Sequence, residues 1–190
     1  MCLDLVIFVG LTTEQGGVAA MADPETKIPG LKEIGGDSVM TISTAKSANG
    51  VEQLRDNNVE TFWQSDGTAP HLINIQFTKK MAVSCVCLYM DYPSDESYTA
   101  KKLNVRSGTM QHDLLDVAMK ELNEPHGWCN VSLIKEDGEP LRTHFLQIRV
   151  MSMHQNGKDT RIRQVCIYGP NKSAQDQFKT IEMQQYAVLR

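Results

Sequence analysis

The sequence predicts an all-β domain, a jelly-roll-like β-sandwich spanning residues 34–170, and three observations carry that prediction. Short apolar runs with a period of two recur from Ile34 to Tyr168. Turn residues separate them at a spacing of roughly 8–15 residues, the rhythm of a sandwich or barrel. No segment of this core sustains a helical period beyond about two turns.

The elements follow in order. Gly50-Val51-Glu52-Gln53-Leu54-Arg55 reads as one short helix. In His71-Leu72-Ile73-Asn74-Ile75-Gln76-Phe77, alternation puts Ile73, Ile75 and Phe77 on one face. Met81 to Tyr92 is almost continuously apolar and predicts one central strand covered on both faces. Leu103 to Arg106 and Trp128 to Leu133 add two strands. Phe145 to Val150 adds another, with Leu146, Ile148 and Val150 inward, and Gln164 to Tyr168 is the last. Turns fall between them at Ser107-Gly108, Glu124-Pro125-His126-Gly127, Asp137-Gly138-Glu139-Pro140 and Asn156-Gly157.

The 190 residues are 41% apolar and 22% charged, and 19 Lys and Arg against 23 Asp and Glu give a net charge of −4. A weak acidic balance argues against a nucleic-acid binder, which needs clustered positive charge. No run of like charge exceeds the pairs Lys79-Lys80 and Lys101-Lys102, so no polybasic membrane patch is expected. The five cysteines, Cys2, Cys85, Cys87, Cys129 and Cys166, are odd in number and scattered. They predict reduced thiols in a reducing compartment rather than a disulfide framework. No C-x-x-C occurs and the five histidines lack ligand spacing with the cysteines, so no metal or cofactor is expected.

Leu5 to Val9 is apolar, but Asp4 precedes it and no Lys or Arg does, unlike a signal peptide. Residues 1–33 are expected to be an unstructured N-terminal extension, of which 1–20 is dispensable. Residues 171–190 are expected to form a C-terminal tail.

Three polar clusters fall in loops, where a rigid β-scaffold displays function. They are Leu54 to Gly67, Asp91 to Thr99 and His154 to Arg161. Ser94, His154 and Asp159 contain the residue types of a hydrolase triad, but no Gly-x-Ser-x-Gly elbow positions them. Asp95 and Glu96 are adjacent carboxylates with nothing to place them across a scissile bond. An enzyme is not expected. The third cluster is the densest, mixing donors, acceptors and both charges around Gly157, which suits an extended peptide or a sugar.

Five strings then acquire a specific resemblance: Gly50 to Asp56, Thr61 to Gly67, Pro70 to Phe77, Asp95 to Thr99 and His154 to Thr160. In this order and spacing the chain resembles the DOC-domain family found in the anaphase-promoting complex, a ubiquitin ligase of the cell cycle. The resemblance implies a galactose-binding-like jelly roll without catalytic activity, working in nucleus and cytoplasm. It implies a co-receptor that, with a propeller-shaped WD40 coactivator, holds the destruction-box degron of substrates such as cyclins. Ubiquitin chains added by a separate cullin–RING module thereby grow more processively. Carried over residue by residue, the degron-facing positions are Asn156 first, then Gln155, His154, Lys158 and Asp159. The family pattern has Arg where this chain has Lys158, His where it has Arg161, and Pro and Ser at Ala100 and Lys101. The ending Val188-Leu189-Arg190 resembles the family's Ile-Arg tail, so Leu189 and Arg190 are expected to dock on a helical-repeat scaffold subunit. The alternative on the same architecture is a free carbohydrate-binding module, which favours an exposed aromatic platform.

Overall fold

Period-two alternation gives each strand one apolar face, and two sheets bury those faces against each other. The computed structural model describes residues 30–171. Its strands are β1 (Leu31–Glu33), β2 (Ser38–Ile42), β3 (Trp63–Gln64), β4 (His71–Val83), β5 (Cys85–Asp91), β6 (Ala100–Gly108), β7 (Leu115–Glu121), β8 (His126–Ser132), β9 (Leu141–Met153), β10 (Arg161–Ile162) and β11 (Gln164–Pro170). One helical turn, α1 (Tyr92–Asp95), follows β5. One sheet runs β2-β4-β9-β6-β7, the other β1-β11-β5-β8, and β3 pairs with β10 at one end. All of these pairings are antiparallel.

The long strands β4 and β9 set Ile73 opposite Ile148 and Ile75 opposite Leu146. All four are fully buried, as are Leu103 and Val105 of β6, Val86 and Leu88 of β5, and Ile167 of β11. Each such side chain contributes about 1.5–3 kcal/mol on burial, so this layer supplies most of the driving force. The inward sets expected on β4 and β9 are the ones observed. The short helix expected near Gly50 is a 3-10 turn, Glu52–Leu54, pinned by the fully buried Leu54.

Two expectations need correction. Met81 to Tyr92 is two strands, because the chain changes sheet at Ser84. The Ser84 amide donates to Tyr168 O (2.8 Å) and its carbonyl accepts from Leu133 N (2.8 Å). Coverage on both faces holds for β5 alone: Val86, Leu88 and Met90 enter the main core, while Cys85 and Cys87 enter a second cluster with Tyr168. There the hydrogen bond that the Cys87 thiol donates to Cys85, together with burial, pushes the Cys87 thiol far up.

The boundary at residue 34 also moves. Leu31–Glu33 is a paired edge strand against Tyr168–Pro170, not part of an unstructured extension. Leu31 packs on the thiol cluster, and the Glu33 carboxylate accepts from the amides of Gly35 (2.7 Å) and Gly36 (3.3 Å). Residues 1–29 of the expected extension and 172–190 of the expected tail, Leu189 and Arg190 included, lie outside the described residues.

Strands β2 and β7 were not expected. In β7 the apolar set faces outward, Leu115 being 73% and Met119 61% exposed, which inverts the usual signature.

Candidate functional site

Strands β5 and β9 end at one pole of the sandwich, and the turns that follow them pack on each other. Asp91 closes β5 and leads into α1 and a 3-10 turn, Glu96–Tyr98; Met153 closes β9 and leads into the 3-10 turn His154–Asn156. Within the second turn Gln155 (φ 51°) and Asn156 (φ 56°) are successive non-glycine residues in the left-handed region. Such conformations cost on the order of 1–2 kcal/mol each and persist only where the surroundings dictate them.

Those surroundings are explicit. The His154 amide donates to Thr99 O (2.9 Å) and the Gly157 amide to His154 O (2.9 Å). A Cβ on Gly157 would lie 1.8 Å from Ser97 O, so backbone meets backbone there. His71 Nε2 reaches Lys158 O at 2.7 Å from inside the sandwich, where His71 is 1% exposed. The Thr160 amide donates to Ser65 Oγ (2.8 Å), Ser65 N returns a bond to Thr160 O (3.0 Å), and Thr160 Oγ1 donates to Tyr98 O (3.2 Å). Lys46 Nζ and the Asp159 carboxylate pair at 3.1 Å, and that carboxylate raises the Lys46 pKa.

The loop therefore sorts the five carried-over residues into two groups. Gln155, Asn156 and Lys158 are exposed at its crest. Of these, Gln155 Nε2 donates to Tyr92 Oη (3.2 Å), whereas the side chains of Asn156 and Lys158 have no partner among the described residues. His154 is buried, its ring edge-on to Tyr92 at 5.0 Å, and its Nε2 is enclosed without a hydrogen-bond partner among the described residues. Asp159 is turned to Lys46 and is 15% exposed. Ser94 Oγ donates to Asp91 Oδ2 (2.7 Å), so Ser94, His154 and Asp159 form no triad.

Behind the crest lies an ionic layer that the sequence reading did not assign. Asp95, 3% exposed, accepts from Arg163 Nε (3.1 Å), Arg163 Nη2 (3.2 Å) and Arg161 Nη1 (3.3 Å). The Arg161 guanidinium is stacked between Tyr98 (4.2 Å) and Phe62 (4.4 Å). Burial alone would raise the Asp91 carboxyl, but hydrogen bonds from Ser94 and His126 and the Arg163 charge hold it below the ordinary carboxylate value. His71 and Arg163 had a legible signal: His71 opens the apolar strand β4 and Arg163 sits between β10 and β11 beside Ile162 and Val165, and buried polar groups need partners.

The aromatic side chains at this pole are already engaged. Trp63 is fully buried with its indole N–H donating to Thr44 O (2.9 Å). Phe62 and Tyr98 face Arg161, and Tyr92 faces His154. Trp128 stands edge-on to Tyr89 on the outer face of β5 and β8. Among the described residues no group of three or more His, Cys, Asp or Glu is placed to hold a metal ion.

Residues 12–188 match the family described as "Anaphase-promoting complex, subunit 10". The chain is 45% identical over 175 residues to mouse anaphase-promoting complex subunit 10, covering 89% of this chain and 95% of that one. It is 42% identical to the Dictyostelium discoideum subunit 10 over 83% of this chain and 86% of the other. Among solved structures, the family 32 carbohydrate-binding module of Clostridium perfringens NanJ, in complex with galactose, superposes with a TM-score of 0.61 at 13% identity. That match covers 73% of this chain and 98% of the module, and it establishes the galactose-binding-like jelly roll and nothing about ligand. The family match over residues 12–188 and the relatives at 42% and 45% identity agree: the chain belongs to the anaphase-promoting complex subunit 10 family.

Proposed function

We propose that this subunit is a non-catalytic co-receptor that presents the crest Gln155-Asn156-Gly157-Lys158 to the destruction-box degron of substrates such as cyclins. A WD40 coactivator supplies the other half of the receptor, and longer substrate residence raises the processivity of ubiquitin addition in nucleus and cytoplasm. The single observation carrying this reading is the strained, clamped turn that leaves the Asn156 side-chain amide and the Lys158 ammonium exposed and without a partner among the described residues. A backbone fixed in advance lowers the ordering cost of capturing an extended peptide. Asn156 offers both donor and acceptor to a peptide backbone, and Lys158 offers charge without the bidentate geometry of Arg. His154 and Asp159 support this surface from beneath it.

The geometry also suits a tethered reader. β9 runs 13 residues from Leu141 to Met153, or roughly 40 Å from pole to pole. Asn171 leaves the sandwich at the pole opposite the crest, its amide on Gly30 O. A tail ending in Leu189 and Arg190 that docks on a helical-repeat scaffold subunit would leave the crest free to face substrate. The carbohydrate-binding alternative rests on fold likeness and lacks an open aromatic face at this pole.

The test is ubiquitination of a destruction-box substrate by complex reconstituted with Gln155→Ala/Asn156→Ala. Lost hydrogen bonds of about 0.5–1.5 kcal/mol each predict a several-fold to hundredfold decline with assembly intact. An unchanged rate would refute the site. Equal loss on a substrate lacking the degron would place the defect in folding instead.

A further inference from the structure

At the pole opposite the crest, the sandwich opens into a cleft of about 490 Å³ that the degron reading does not use. Its floor is apolar, built from Ile34, Met81, Ala82, Pro140 and Pro170. Its rim carries four cations, Lys32, Lys79, Lys80 and Arg142, none of which has an ion pair among the described residues. Of the three rim carboxylates, Glu33 is occupied by the amides of Gly35, Gly36 and Ile167. Asp37 and Glu139 remain. Four cations against three carboxylates leave the cleft lining net positive by one, in a chain of net charge −4.

The local backbone explains why these groups gather. The β4–β9 register shifts between Gln76 and Met81, and that irregularity carries Lys79 and Lys80 to the rim. Strand β1, which supplies Lys32 and Glu33, is a sheet edge, paired on one side by β11 and by no other described strand. Its hydrogen bonds to β11 alternate, as Ile34 N to Ile167 O and Asn171 N to Gly30 O show, so Leu31 and Glu33 turn their backbone groups outward.

From this juxtaposition of a bare sheet edge, an apolar floor and unpaired cations, we infer that the cleft is a second binding site, for an acidic extended peptide segment of a partner protein. Strand addition along β1 supplies main-chain hydrogen bonds. An apolar side chain sits on Met81 and Pro140, and flanking carboxylates reach Lys32, Lys79, Lys80 and Arg142. A small anion would satisfy the cations and leave the edge and floor unused. The site lies a sandwich length from the crest, so both can be filled at once.

The experiment is fluorescence anisotropy of the full chain with a fluorescein-labelled Glu-Glu-Leu-Pro-Glu-Glu peptide at low and high salt. Binding is expected to weaken about tenfold or more with Lys79→Glu/Lys80→Glu, and similarly with 0.5 M NaCl. Both side chains are exposed, so the melting temperature should hold; Gln155→Ala/Asn156→Ala should leave probe binding unchanged. Equal binding by the charge-reversed variant, or by the Gln-for-Glu peptide, overturns the proposal. So does equal binding of a single-stranded oligonucleotide of the same charge. Tighter probe binding on neutralising Asp23 and Glu25 would make the chain's own leader the occupant, and that also overturns it.

Discussion

The imidazole Nε2 of His71 lies 2.7 Å from the carbonyl oxygen of Lys158. A carbonyl only accepts, so Nε2 carries the hydrogen and the ring donates. His71 thus ties the crest to β4, the strand that supplies Ile73 and Ile75 to the core. Replacing it with Ala should cost about 1–3 kcal/mol through the lost bond. Degron-dependent ubiquitination should fall with it, while His71→Gln, which keeps a donor, should recover part of the loss. Urea unfolding alongside the activity assay separates the two effects. Full activity in His71→Ala would show that the loop holds its shape without this bond.

Gly157 is a sharper probe of the same loop. Its φ of −55° is open to any residue, so space alone demands glycine. A Cβ would fall 1.8 Å from Ser97 O, a backbone atom with nowhere to go. Gly157→Ala should therefore part the two turns, at about 1–3 kcal/mol. Degron affinity should drop more than the Gln155→Ala/Asn156→Ala variant does. Hydrogen exchange of the Thr99 and Gly157 regions would report the separation directly, and unaltered protection would count against it.

Acid should loosen this pole first. For Asp91 burial raises the pKa, yet hydrogen bonds from Ser94 and His126 and the Arg163 charge bring the net shift down. For Asp56, burial is likewise outweighed by hydrogen bonds from Thr61, Asn58 and Gln164. A carboxylate whose folded pKa is depressed stabilises the fold above its unfolded pKa of about 3.9. That contribution disappears as pH falls through the folded value. Stability should be flat from neutral pH to about pH 5 and decline below about pH 4. Asp91→Asn should lower the plateau and flatten the acid limb, as urea midpoints across pH would show. An unchanged limb would mean that Asp91 titrates as an ordinary surface carboxylate.

What was legible in the sequence divides along one physical line. Inward alternation on β4 and β9 is written in the residue order, because burial selects apolar side chains every second position. Strand β7 was illegible for the same reason reversed: Leu115, Val117 and Met119 face outward. The crest residues stood out through loop composition, but composition cannot tell an outward Asn156 from an inward His154. That distinction comes from the left-handed pair at Gln155 and Asn156, which only long-range contacts with Thr99, Ser97 and His71 impose. The layer beneath is long-range throughout: Asp95 and Arg163 are 68 positions apart.

That layer yields the most discriminating prediction, because the resemblance implies a His where this chain has Arg161. Its guanidinium is stacked between Tyr98 at 4.2 Å and Phe62 at 4.4 Å, with Nε on Gln64 Oε1 (3.1 Å) and Nη1 on Asp95 Oδ1 (3.3 Å). Charge at this spot is partly redundant, since Arg163 already pairs with Asp95 through two nitrogens. The planar stack is not redundant. Lysine keeps the charge but loses the plane and the fork, whereas histidine keeps a flat ring between the two aromatic faces. Arg161→Lys should therefore destabilise by about 1–2 kcal/mol, the worth of the stacked contacts. Arg161→His should cost less despite its weaker charge. Arg163→Ala should exceed both, because it strips the closest cation from a buried carboxylate. Urea denaturation of the three variants at pH 7 gives the order directly. Were Lys to be tolerated better than His, charge rather than stacking would be what holds Tyr98 and Phe62 behind the crest.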